Sequence, residues 1–243
     1  MLIINADDWG GWKSATEAAL ACHEAGRLSS VTAMVFMADS ERAADLAREH
    51  QISAGLHLNL NLRFNGQLKS AVVRAHHERL IRFFGWGKYA QLIYHPWLGE
   101  SFRCVYRAQV EEFNRIYGQP PTHVDGHQHL HLCVNMRANR VIPAGQKVRR
   151  SFSFWPGEKS WLNRLYRRHV DRKLCQRYRV VDYFFSLRQC LGENRIERVA
   201  RLARELNVEL MTHPEVKAER DFLLGDGFQR TFAGVRMASY ANL

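Results

Sequence analysis

The sequence predicts an α/β protein whose parallel strands curl into a closed or nearly closed barrel. Short apolar runs alternate with amphipathic helical patterns through all 243 residues. About seven such units can be counted, which suits a barrel better than a small open sheet. The residues with the richest chemistry follow the apolar runs, at the carboxyl ends of strands, where barrel folds gather their sites. No repeat, low-complexity stretch or linker divides the chain, so one domain over 1–243 is expected.

Leu2 to Asn5 is a buried-strand pattern ending in Ala6-Asp7-Asp8-Trp9-Gly10-Gly11. A helix is expected from Ser14 to about Ala25, stopped by Gly26. Val31–Phe36 is the next strand and Ser40–His50 the next helix, with Ala43, Ala44, Leu46 and Ala47 near one face. Ser53–Leu60 is a strand containing His57 and Asn59. The stretch from Arg63 to Gly99 reads as an insertion rich in aromatics, among them Trp86, Tyr89 and Trp97. Ser101–Tyr117 is amphipathic, and Gly118 closes it. Further strands are expected at Lys147–Phe152, Val180–Leu187 and Val208–Thr212, with a helix carrying Ile196, Val199, Leu202, Ala203 and Leu206 before the last.

The apolar fraction, 46%, is enough for a sizeable core. The net charge of +11 favours acidic partners. Taken alone it would admit a basic nucleic-acid-binding protein, but no nucleic-acid module is visible and none is expected as a partner. No apolar run reaches the ~18 residues of a membrane span, and no secretory leader is seen. Five scattered cysteines without a C-x-x-C pair fit reduced thiols in the cytoplasm.

The richest stretch is Thr122-His123-Val124-Asp125-Gly126-His127-Gln128-His129-Leu130-His131. If it is extended, His123, Asp125, His127, His129 and His131 share one face, since strand side chains alternate. Eight residues of strand span roughly 26 Å, so these five groups cannot serve one ion. Three other strand ends carry suitable groups: Asp7 and Asp8 on the first, His57 on the third and His213 on a late one. One carboxylate with two histidines leaves coordination positions open, as catalytic zinc sites do. A spare carboxylate and a spare histidine then suit general base and general acid. A metal-binding storage protein, a metal-dependent phosphoesterase and a sugar isomerase use similar groups.

Asn5-Ala6-Asp7-Asp8-Trp9-Gly10, Gly55-Leu56-His57-Leu58-Asn59-Leu60, the histidine row and Leu210-Met211-Thr212-His213-Pro214 together resemble the YdjC-like carbohydrate deacetylases. That family includes chitooligosaccharide deacetylases and deacetylases of hopanoid biosynthesis. The resemblance implies a distorted TIM-like barrel and a metal-dependent hydrolase that removes an acetyl group from an N-acetylated sugar. It implies Asp8, His57 and His127 as ligands of one divalent ion (magnesium or zinc), Asp7 as base and His213 as acid. Asn59, His123, Asp125, His129 and His131 would contact substrate or orient ligands. Trp86, Tyr89 and Trp97 could stack on sugar rings, or fill a core or a homodimer contact. The basic helical pattern over 161–179 fits either a solvated face or peripheral contact with an anionic membrane carrying a lipid-linked sugar.

Overall fold

The fold was taken from a computed structural model, which describes residues 1–155, 157–191 and 195–243. In chain order the main elements are β1 (Leu2–Trp9), α1 (Lys13–Glu24), β2 (Ser30–Ala33), α2 (Ser40–Glu49), β3 (Ala54–Leu58), α3 (Ala71–Phe84), α4 (Gly99–Tyr117), β4 (Val124–Gly126) and α5 (Val134–Ala138). Then follow α6 (Trp161–Cys175), β5 (Tyr183–Ser186), α7 (Leu187–Cys190), α8 (Arg195–Glu205), β6 (Val208–Thr212), α9 (Lys217–Leu224) and α10 (Asp226–Thr231). The strands form a parallel sheet in the order β4-β3-β2-β1-β6-β5. β1 is buried along its whole length, as a strand covered on both faces must be. Its register against β6 runs from Leu2↔Val208 to Ala6↔Thr212.

Two compact units make up the chain. The first contains 1–7, 17–31 and 144–243. Its core includes Ile3, Val181, Phe184, Met211 and Tyr240, and β5 and β6 lie side by side within it. The second contains 8–16 and 32–143. There α4 buries Phe102, Val105, Phe113 and Ile116 and packs against α2, α3 and β3. Gly118 ends α4 in the left-handed conformation, φ 70°, and its N–H bonds to the Asn114 carbonyl.

The α/β class and parallel sheet agree with expectation, but there are six strands among the described residues rather than about seven. The expected strand at 147–152 makes only an isolated bridge, Lys147↔Arg179. Its backbone is tied at separate points, Val148 N–H to Arg179 and Ser153 N–H to Phe184, with no continuous ladder between. The 235–240 segment likewise makes one bridge, Leu2↔Met237, before Ser239 caps a 3-10 turn at Tyr240–Asn242.

The expected strand over the histidine row also needs correction. It ends at Gly126, and His127–Leu132 forms 3-10 turns in which Gln128 (φ 53°) and His129 (φ 58°) are left-handed. Alternation therefore stops before His127, and the row is not one flat face. Within 63–99 the structure has α3, capped by the Ser70 side chain, which accepts the Val73 N–H. The aromatics after it stay exposed: Trp86 is 68%, Tyr89 65% and Trp97 83% accessible. Among the described residues no helix is long and apolar enough to cross a membrane. All five cysteines are unpaired, and burial pushes the Cys133 and Cys190 thiols up to about 12.

Candidate active site

Asp8 sits near the end of β1 with φ 62°, an uncommon conformation for a side-chain-bearing residue. Such local strain is often found at functional sites. It falls directly after Asp7, so regular strand alternation does not continue through the pair.

Asp8 belongs to the second unit. Its Oδ1 lies 3.0 Å from His127 Nδ1 and 3.2 Å from His57 Nε2. His57 comes from β3 and His127 from the turn that follows β4. The two rings meet edge to face at 5.7 Å. One donor atom from each of the three residues falls within 4.8 Å of the other two. Burial alone would raise the Asp8 carboxyl, but hydrogen bonds and charge from His127 and His57 hold it below the usual carboxylate range. His57 and Asp8 have little exposure, whereas the His127 side chain is 19% exposed, so the cluster meets solvent on the His127 side.

Behind His57 stands Asp125, pointing in from β4. Its Oδ1 is 2.8 Å from His57 Nδ1, and its Oδ2 accepts a 3.0 Å hydrogen bond from Thr32. A carboxylate can only accept, so His57 Nδ1 donates to Asp125. At 3.2 Å from Asp8 Oδ1, His57 Nε2 either donates a proton to that carboxylate or, when an ion is bound, offers it a lone pair. Two imidazoles, one carboxylate and a carboxylate behind a histidine form a donor set that fits a divalent transition ion.

Asp7 belongs to the first unit, and its carboxylate is gripped by Arg149. Two parallel N–H···O bonds of 2.7 and 2.6 Å join them, and Asn5 Nδ2 donates a third at 3.0 Å. Arg149 is fully buried and donates its Nε–H to Glu209 at 2.7 Å; Tyr240 donates its hydroxyl to the same Glu209 carboxylate. His213 lies after β6. Its backbone N–H and the Thr212 hydroxyl both donate to Glu219 Oε2 at 2.9 Å, fixing the turn that carries the imidazole.

The remaining sequence candidates sit as follows. His123 is buried against Gly55, where an added Cβ would come within 2.3 Å of its ring. His131 is buried against Gly126. His129 is half-buried in the left-handed turn. Asn59 is fully buried, and its side chain shapes the loop after β3 by bonding Leu62 O and accepting from Asn61 and Leu62 N–H. Asn61 donates to Gln128, tying that loop to the turn beside His127.

Arg149, Glu209, Tyr240 and Thr32 were not singled out by sequence reasoning as site residues. The only signal for Arg149 was its place in a basic run, where nothing marks one cation as buried. Glu209 carried more, as a lone charge inside the apolar strand Val208–Thr212.

A solved structure of a candidate cellobiose-phosphate cleavage protein from Enterococcus faecalis V583 superimposes with a TM-score of 0.67 over 99% of this chain and 97% of that one. At 18% identity it speaks for the fold. A carbohydrate deacetylase of Danio rerio is 30% identical over 139 residues, 56% of this chain and 44% of that protein. A chitooligosaccharide deacetylase of Proteus mirabilis is 31% identical over 133 residues, 54% of this chain and 50% of that protein. A carbohydrate deacetylase of Homo sapiens is 33% identical over 138 residues, 54% of this chain and 41% of that protein. The aligned segments thus span about half the length of the curated relatives. The model of the YdjC-like family matches residues 1–236, and the chain belongs to that family.

Proposed function

We propose that this protein is a metal-dependent deacetylase that hydrolyses an acetamido group on an N-acetylated sugar. The observation that carries the reading is the convergence of Asp8, His57 and His127, with Asp125 orienting His57. The deacetylase names of relatives from a vertebrate and from a bacterium supply the reaction class. When bound by these three residues, a divalent ion would polarise the acetyl carbonyl and acidify water. Zinc suits two imidazoles and a carboxylate better than magnesium, which prefers oxygen donors.

The chain's own groups handle the protons. Asp7, held by Arg149, takes a proton from the attacking water, which adds to the acetyl carbon. His213 gives a proton to the departing amine, because an unprotonated nitrogen is a poor leaving group. The products are acetate and a free amino sugar. Asn59 and the buried His123 and His131 keep the loops in place, while His129 and the exposed Trp86, Tyr89 and Trp97 are available to sugar rings.

The test incubates purified protein, loaded with zinc or with magnesium, with N-acetylated oligosaccharides and with a panel of phosphoesters. Mass spectrometry should show loss of one acetyl group from a sugar. Turnover of phosphoesters alone would favour a phosphoesterase on the same metal set. Asp7→Asn should bind metal normally and lose about 10²- to 10⁴-fold in kcat; full activity would remove Asp7 from the role of base.

A further inference from the structure

Helix α6 is amphipathic in an unusual direction. Val170, Asp171 and Leu174 are its buried residues. Its outward face changes character along the axis rather than around it. The first two turns expose Trp161 (65%), Leu162 (60%), Leu165 (51%) and Tyr166 (44%). The last two turns expose Arg168, His169, Arg172 and Lys173. Four large apolar side chains on adjacent turns form a patch that a monomer in water does not need.

Beside the helix lies a groove of about 310 Å³. Arg150, Arg164, Arg167 and Arg168 line it, with Asp171 as the carboxylate among its lining residues. Asp171 is already committed to Arg150 at 2.7 Å and to the Ser151 hydroxyl at 2.8 Å. Arg167 is steadied by Asn163 and lies over the Phe154 ring, neither of which neutralises it. Burial lowers its pKa, partly offset by Asp171. The Nε atoms of Arg164 and Arg150 are buried without a hydrogen-bond partner. Buried guanidinium donors without acceptors are costly unless something supplies oxygen atoms and negative charge.

We propose that α6 docks on an anionic lipid bilayer, with the phosphate of a lipid headgroup held in the arginine groove and Trp161, Leu162, Leu165 and Tyr166 set at the boundary between headgroups and acyl chains. Phosphate presents the oxygens and charge that the groove lacks, and guanidiniums bind it in forked pairs. Aromatic rings with one polar edge favour the bilayer interface. The apolar N-terminal half and basic C-terminal half fit a helix tilted into the surface, its cations at headgroup level. This site is independent of the Asp8 cluster, so it stands or falls separately from the proposed deacetylation.

The test is co-sedimentation of the whole protein with phosphatidylcholine vesicles and with vesicles that also contain phosphatidylglycerol. Binding is expected to the anionic vesicles only, and to weaken as salt is raised. Arg164→Gln with Arg168→Gln should lower vesicle affinity roughly thirtyfold, at the usual worth of two interfacial cations. Leu162→Ser with Leu165→Ser should lower it with all charges kept. The control pair Lys69→Gln with Lys217→Gln, carrying the same charge loss elsewhere, should change it little, and thermal melts check that every variant is folded. Failure to bind anionic vesicles overturns the proposal. So does an equal loss in the control pair, which would reduce the effect to net charge. Binding of inorganic phosphate by the free protein without vesicle binding also overturns it, and would assign the groove to a soluble phosphorylated ligand.

Discussion

Asp125 touches no substrate in the proposed reaction, yet it decides which nitrogen of His57 faces Asp8. Replacing it by Ala leaves the three ligands in place but frees the ring to turn and change tautomer. Metal affinity should fall 10- to 100-fold rather than vanish, as read by titration calorimetry with zinc; an unchanged affinity would separate Asp125 from the site. Arg149 is a different case. Its buried charge sits between two buried carboxylates, so Arg149→Met leaves Asp7 and Glu209 both uncompensated. Breaking such a network by removing one partner costs about 3–5 kcal/mol. Denaturant unfolding should show that loss, and adding Glu209→Gln should recover part of it; a neutral Arg149→Met would mean that the ion pairs contribute nothing. The contrast explains what was readable. Asp7, Asp8 and His57 stood out because polar residues closing an apolar run need a reason. Arg149 did not, because a buried cation in a basic run looks like its half-buried neighbours Lys147 and Arg150 until the partners, 60 and 142 residues away, are brought to it.

Among the elements, β6 and α2 could be read almost to the residue, since their periodicity is clean. The turns after β4 could not. His127, His129 and His131 continue the alternation in sequence, but Gln128 and His129 adopt left-handed conformations that no alternation foreshadows. α3 was hidden for the opposite reason: it buries only His77, Leu80 and Phe83, a narrow stripe among basic residues. His77 gives this helix a pH dependence. It is buried and stacked on Phe64 at 3.8 Å, and burial lowers its pKa from 6.5 to about 4. Between those values the unfolded chain takes up a proton that the folded chain refuses. Stability is therefore highest above pH 6.5 and falls as pH drops toward 4, by roughly 3 kcal/mol in full. His77→Phe keeps the stacked ring and removes the titration. Denaturant midpoints across this window should slope less steeply in the variant than in the parent; parallel slopes would show that His77 titrates normally.

At the scale of the whole molecule, the parallel sheet could be read from alternating strands and helices, whereas the strand count could not. The segment 147–152 has a strand-like sequence, but among the described residues it is joined by an isolated bridge and not a ladder. The same long-range assembly gives metal its thermodynamic lever. Asp8, His57 and His127 are brought together only by folding, so an ion that binds all three stabilises the native state and not the unfolded chain. At free metal a hundredfold above its dissociation constant the gain is about 2.7 kcal/mol. For a chain of this size that is a rise of roughly 5–10 °C in the unfolding midpoint. Thermal melts in zinc, in magnesium and after chelation should order the three states, and the ion giving the larger rise at equal concentration is the tighter ligand. Asp8→Asn should abolish most of the rise, because a neutral amide replaces the one anionic donor. A variant that still responds fully to zinc would place the ion elsewhere.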